Sequence, residues 1–284
     1  MSDTRTEHAR AQAEKHEGPL GRQTPYATSY SPSLLHPIDR AAARADVGVT
    51  QAHELIGEDL WTGYEFSWLD TQGKPAVAGI RFRVPCQSPA MVESKSLKLY
   101  LGSFTQTKFE SRAAVLRTLD ADLALAFRAP VMIELLELSQ LAAPVHEMPG
   151  VCLDELDIRT NVYQRDPELL RLENEHVTVR ESLYTHLFRS LCPVTAQPDW
   201  ASVVVAYNGA PMARDALLKY LVSYRTHQAF HETTVEQIHA DITAACAPRQ
   251  LSVYARFQRR GGIDINPFRS THEDSAPLYR LPRQ

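Results

Sequence analysis

Between Trp61 and Leu69 apolar and aromatic side chains crowd a nine-residue run, and Ala76–Val84 is a second run of the same kind. The segment between them, Asp70-Thr-Gln-Gly-Lys-Pro75, is polar and turn-forming. Two strand-like runs around such a turn predict a β-hairpin. After the loop Pro85-Cys-Gln-Ser-Pro89 the period changes. Leu97, Tyr100, Leu101 and Phe104 fall at i, i+3, i+4 and i+7, one face of a helix. A second helix is expected over about Ser111–Arg128, then strands at Val131–Leu138 and Asp157–Gln164. The order reads ββααββ.

The second half repeats the pattern. Strands are expected at Val177–Phe188 and Ser202–Tyr207, on either side of the loop Cys192-Pro-Val-Thr-Ala-Gln-Pro-Asp199. Helical spacing returns at Leu217, Tyr220, Leu221 and Tyr224, and a second helix is expected over about Thr233–Cys246. Strands at Leu251–Gln258 and Ile263–Phe268 flank Arg259-Arg-Gly-Gly262. Leu97, Tyr100, Leu101, Ser103 and Phe104 match Leu217, Tyr220, Leu221, Ser223 and Tyr224 at a constant offset of 120. Shared residues and shared element order together indicate a diverged duplication. The expected fold is α+β, with antiparallel sheets carrying their helices on one face. The division is a tail and covering arm over 1–45, a first unit over 46–165 and a second over 166–284. Within the first segment Met1–Glu17 reads as a mobile tail, and Pro19–Arg44 as an arm turning at Pro25, Pro32 and Pro37.

Composition narrows the function. The 284 residues are 44% hydrophobic and 23% charged, with a formal net charge of −4. No apolar run approaches a membrane span, and Met1–Gly18 lacks the apolar core of a secretory signal, so a cytoplasmic protein is expected. The charge offers no broad basic surface for a nucleic acid. Cys86, Cys152, Cys192 and Cys246 show no C-x-x-C spacing, so neither a zinc ribbon nor a redox pair is indicated. No metal is expected.

Four segments carry candidate chemistry. Cys192 sits past the end of a strand, with Asp199 seven residues on, in reach if the loop folds back. That is a nucleophile with a proton carrier, or a loop cysteine with a turn aspartate. In Val92-Glu-Ser-Lys-Ser-Leu-Lys-Leu-Tyr100, Ser94 or Ser96 is the expected helix cap. Lys95 and Lys98 lie beside it, a phosphate site or simply a capped helix with solvated lysines. In Phe230-His-Glu232 the carboxylate suits the two adjacent N–H donors of a guanine edge, or else faces water at a helix start. Arg259-Arg-Gly-Gly262 offers backbone N–H groups and charge to a phosphate, or forms an ordinary hairpin turn. Cys86 is expected in the first unit's counterpart of the Cys192 loop.

Together these segments resemble the NADPH-dependent 7-cyano-7-deazaguanine reductases, the nitrile reductases of queuosine (tRNA modification) biosynthesis, in their long form with two tandem tunnelling-fold units. The family's Glu-(Ser/Leu)-Lys-(Ser/Ala)-hydrophobic-Lys-(Leu/Tyr)-aromatic stretch stands complete as Glu93–Tyr100. The cysteine loop ending Gln-Pro-Asp-Trp stands as Cys192–Trp200. Phe230-His-Glu232 and Arg259-Arg-Gly-Gly-Ile-Asp-Ile-Asn-Pro267 match as well, and the likeness runs from about Gly18 to the C-terminus. The resemblance implies Cys192 as nucleophile and Asp199 as proton donor. It implies Val92, Glu93, Ser94, His231 and Glu232 on the deazaguanine, and Ser94, Lys95, Arg260 and Gly261 on NADPH. It also implies a homodimer, with no nucleic acid or membrane as partner. The rival readings are a thiol hydrolase pairing Cys192 with His231 or His227, zinc-dependent cyclohydrolase or pterin chemistry on the same fold, and an inactive purine-binding module.

Overall fold

The computed structural model describes residues 27–49, 55–142 and 145–284. The expected tail and the turn at Pro25 lie outside them. Described residues begin on an arm: strand β1 (Pro37–Asp39) runs straight into helix α1 (Arg40–Asp46). Pro32 opens a 3-10 turn as its fixed φ favours, whereas Pro37 starts a strand rather than a turn.

The predicted hairpin forms as β2 (Ile56–Leu69) and β3 (Pro75–Pro85). Its turn is built by Asp70, whose carboxylate accepts from the Gln72 and Lys74 N–H groups at 2.9 Å, while Gly73 takes φ +89°. Then follow β4 (Ala90–Val92), α2 (Ser94–Gly102), α3 (Arg112–Phe127), β5 (Met132–Leu136), a single turn α4 (Leu138–Leu141) and the short β6 (Val151–Cys152). The second unit comprises β7 (Val179–Leu191), β8 (Pro198–Gly209), α5 (Arg214–Ser223), α6 (His231–Cys246), β9 (Gln250–Phe257) and β10 (Ile263–Ser270).

β2, β3 and β5–β10 make one eight-stranded sheet in the order β5-β3-β2-β10-β9-β8-β7-β6. All neighbours are antiparallel except β6, which runs parallel to β7. The units join through β10, which pairs with β2 from Ile263 opposite Gly63 to Ser270 opposite Ile56.

Duplication is visible in bonds as well as in order. Tyr100 donates to Asp122 and Tyr220 to Asp241, each at 2.6 Å, tying the two helices of each unit together. Ser103 and Ser223 each donate to the carbonyl three residues back at 2.6 Å and each accept a backbone N–H, from Ser31 and Asp166 respectively. β2 and β7 each carry one extra residue against their partners, after Gly63 and after Thr185.

Three expectations fail. Asp157–Gln164 forms no strand, so the first unit lacks its fourth strand on the β5 edge; the run carries Asp157 and Arg159, and its Ile158 packs on the second unit's core instead. Cys86 is not in the counterpart of the Cys192 loop. That loop joins β7 to β8, and its counterpart is the turn 70–74, whereas Cys86 follows β3. Nor does a serine cap α2: Glu93 does, accepting from the Lys95 and Ser96 N–H groups at 2.6 and 2.9 Å.

The helices cover one face of the sheet. Phe66, Ile80, Phe82, Leu97, Tyr100 and Leu119 represent the first core, and Phe188, Val203, Val205, Leu217, Ile238 and Val253 the second. Opposite residues alternate to the other face, where Val204, Tyr254 and Phe268 pack under the C-terminal segment through Ala276 and Leu281.

Between arm, first unit and second unit lies a dry ionic cluster. Arg40 donates to Asp59 at 2.8 Å, and Arg44 clasps both oxygens of Glu236 at 2.8 and 2.9 Å. Arg269 donates through Nε to Glu236 at 2.9 Å, and its Nη2 lies 2.8 Å from Asp59 at angles short of a hydrogen bond. Arg40, Asp59, Glu236 and Arg269 are essentially inaccessible to water. Burial pushes the Glu236 carboxyl up, but Arg269 and the arm arginines outweigh it and bring it down to about 2. Removing a carboxylate leaves buried arginines uncompensated. Glu236→Gln is therefore expected to cost about 3–5 kcal/mol in denaturant unfolding; a loss under about 1 kcal/mol contradicts the clamp.

Candidate active site

The site starts from a property of antiparallel pairing. Ser190 of β7 lies opposite Asp199 of β8, and Leu191 opposite Pro198. The ladder continues one step further, with the Cys192 N–H donating to the Gln197 carbonyl at 2.9 Å. Paired residues share a face, and so do residues two apart, so Cys192, Ser190 and Asp199 all project from the helix-bearing face. Seven residues of sequence separation become proximity because the loop closes tightly, with Ala196 in the left-handed region at φ +54°.

Above that face stands the N-terminus of α6, which brings His231 and Glu232. The His231 ring lies flat on Phe257, with centroids 3.7 Å apart and planes 2° from parallel. Its Nε2 is 3.2 Å from Asp199, and its buried Nδ1 has no partner. Arg260, from the β9–β10 turn, donates to the other Asp199 oxygen at 2.6 Å. Burial pushes Asp199 up, but His231 and Arg260 prevail and hold it below the ordinary aspartate range.

One pocket of about 420 Å³, counting its mouth, is lined by Val92, Ser94, Cys192, Asp199, His231, Glu232 and Arg260. Seven of the ten residues singled out from sequence thus share a wall. The other three do not line it. Glu93 is spent on capping α2, and burial pushes its carboxyl up against the two N–H groups it accepts. Lys95 lies on the first turn of α2, and Gly261 on the turn beside Arg260. Lys98 packs so closely on Gly261 that a Cβ there would sit 2.8 Å from its Nζ. Lys98 of the first unit and the glycine turn of the second therefore meet.

Sequence reading missed the apolar wall. Ile38 comes from β1 of the arm, pairing with Met91 of β4, and Ile265 comes from β10; all three line the pocket. Only the assembled fold brings an arm residue to a site 150 residues away in the chain, so no local pattern marks it.

Glu232 is the odd group. It is buried, no cation among the described residues lies within ion-pair distance, and its charge is opposed by burial and then by Asp59. These push it up to about 7, against Arg40 and His231, which favour the ionised form.

Comparison with known proteins identifies the family. A family model described as nitrile reductase, 7-cyano-7-deazaguanine-reductase N-terminal part, matches residues 26–135, and a second, described as QueF-like protein, matches 198–276. The NADPH-dependent 7-cyano-7-deazaguanine reductase of Dechloromonas aromatica is 50% identical over 267 residues, covering 92% of this chain and 93% of its own. That of Chromohalobacter salexigens is 49% identical over 268 residues, covering 94% and 96%. A solved archaeosine synthase QueF-like protein in its apo form aligns over 35% of this chain and 96% of its own, at 24% identity and a TM-score of 0.30. With half its residues shared along nearly the full length of such relatives, the chain belongs to the NADPH-dependent 7-cyano-7-deazaguanine reductase family.

Proposed function

We propose that the pocket reduces the nitrile of 7-cyano-7-deazaguanine to the aminomethyl group through a covalent thioimide on Cys192, a step in making queuosine for tRNA. The observation that carries this reading is the placement of Cys192, an ionised Asp199 and a buried, unpaired Glu232 on one wall.

Each group suits its task. A nitrile carbon accepts hydride poorly, but sulfur adds to it readily. The Cys192 proton passes to Asp199, which His231 and Arg260 keep ionised and so able to receive it. As the S–C bond forms, one C≡N π bond opens and Asp199 returns the proton to nitrogen. Two NADPH molecules bound in turn would each supply one hydride, the first to the thioimide carbon and the second to the imine left when the thiolate departs. Each time the nitrogen takes up a proton from solvent by way of Asp199. Ionised Glu232 accepts the ring N1–H and 2-amino group, with Val92, Glu93, Ser94 and His231 completing the base site; Glu93 contributes through the backbone that its own cap holds in place. Arg260, Lys95, Ser94 and Gly261 suit the cofactor phosphates, since they offer two cations and a glycine turn. The apolar wall and the arm keep water from the imine.

A division into arm, first unit to 165 and second unit from 166 is supported by the matching bonds of Ser31 and Asp166, each made in the segment leading into one unit. Among the described residues no helix is long and apolar enough to cross a membrane. The sheet ends in edge strands β5 and β6, with Met132 and Val151 exposed. Unpaired edges favour closure of a barrel against a second copy, in the tunnelling-fold manner, and hence a homodimer.

Mixing protein and nitrile base without NADPH should yield an adduct by intact mass. Cys192→Ala should abolish it while still binding the base, and an adduct persisting in that variant rules out the nucleophile. Absorbance at 340 nm should fall only with base and NADPH together, which separates reduction from thiol hydrolysis. Asp199→Asn should slow thioimide formation at least a hundredfold, by about 3 kcal/mol in barrier; a wild-type rate removes its proton role. Glu232→Ala should weaken base binding by about 2 kcal/mol or more, because two donors lose their acceptor. Since ionised Glu232 is the binding form, affinity should rise as pH climbs toward about 7 and level off above it. Calorimetric titration of Cys192→Ala checks this, and affinity that falls over the same range contradicts the assignment.

A further inference from the structure

Arg40 has no place in the reaction as described, yet its surroundings are unusual. It is the first residue of α1, immediately after the strand that sets Ile38 in the pocket wall. Only 1% of it is exposed. Its Nε donates to the Ser88 carbonyl at 3.0 Å, and its Nη2 to Asp59 and to the Ser88 hydroxyl at 2.8 and 2.9 Å. Its Nη1 is buried with no hydrogen-bond partner, 3.7 Å from Glu236.

Charge matching indicates what balances the spare guanidinium. Among the described residues Arg40, Arg44 and Arg269 stand against two carboxylates, Asp59 and Glu236. Glu236 is one helical turn beyond Glu232 on α6, so the two acids share a helix face. Ionised Glu232 balances the third arginine. A neutral Glu232 leaves a net buried positive charge, which is costly in a dry interior.

We propose that Arg40 is a positioning residue for the reaction: by its charge it holds Glu232 as the ionised acceptor of the base edge, which makes the docked arm part of the recognition site. This rests on the reading of Glu232 as the base acceptor. Other groups facing Glu232 are Asp59 from β2, which opposes its ionisation, and its neighbour His231, which favours it when protonated. Asp199 and Arg260 share the pocket but are matched to each other. Arg44 and Arg269 are committed to Glu236.

The test is calorimetric binding of the nitrile base to the full chain carrying Cys192→Ala, from pH 5.5 to 8.5. Arg40→Gln should move the midpoint of the pH profile upward by a unit or more, weakening binding about tenfold at neutral pH, with most affinity regained at the alkaline end. Arg40→Lys, which restores the charge, should bring the midpoint back toward the parent's. Asp59→Asn should move it the opposite way, a reversal of sign that general loosening of the fold does not produce. If Arg40→Gln fails to fold, Arg40→Lys and Asp59→Asn decide: the idea requires Arg40→Lys near the parent and Asp59→Asn below it. A midpoint unmoved by Arg40→Gln, or a loss of affinity equal at every pH, overturns the role of Arg40 alone. A flat profile in the parent, with Glu232→Gln binding equally well, overturns the Glu232 reading and this inference with it.

Discussion

The buried ion cluster of Arg40, Arg44, Asp59, Glu236 and Arg269 is the constraint on which the architecture turns. Five charges from the arm, β2, α6 and β10 are taken out of water together. Each desolvation is costly, and mutual pairing offsets it. Any arrangement with the arm undocked or the units slipped leaves several charges unpaired. An apolar seam tolerates sliding; this one specifies a register. The same register sets β10 against β2 and brings the Arg260 turn of one unit to Lys98 of the other.

With the units fixed, the duplication takes on unequal roles. Both copies keep the Tyr–Asp bond between their helices and the serine that turns back on its own helix, which are packing features. Only the second copy has a cysteine in the hairpin loop. The first copy's equivalent is an Asp70 turn whose carboxylate is consumed by its own backbone. What the first copy contributes is a capped helix start, with Val92 and Ser94 on the pocket wall. The second copy carries the cysteine hairpin together with His231 and Glu232, and the first lends it part of the pocket wall.

How much was legible follows from the range over which each feature is encoded. The helices were readable from Leu97, Tyr100 and Phe104 and from their counterparts, because a 3.6-residue period is local. The Cys192–Asp199 hairpin was readable because its turn and flanking runs are adjacent in sequence. Asp157–Gln164 was misread because strand propensity is decided by a partner, and no neighbour offers it an edge. Ser94 and Ser96 were favoured as caps on residue type, yet buried Glu93 reaches two N–H groups at once. Ile38 and Arg40 were invisible, since a short arm has no periodicity and its contacts lie in distant strands.

Two carboxylates in one pocket end with opposite tendencies. Asp199 and Glu232 are both buried, so burial alone raises both. Asp199 has a guanidinium at 2.6 Å and an imidazole at 3.2 Å, and these carry it below its ordinary range. Glu232 has no such contact and lies near Asp59, so burial prevails and it rises to about 7. Environments that drive like groups apart mark a division of labour. With a guanidinium and an imidazole beside it, Asp199 stays ionised and readily gives up any proton it receives, which suits the carrier proposed for the reaction. Glu232, without such contacts, is costly to ionise while empty, and under the proposed base-acceptor reading that cost is recovered when two N–H donors arrive. A ligand offering an acceptor there instead meets an unsatisfied carboxylate, so the expense of the empty site becomes selectivity for the base that fills it.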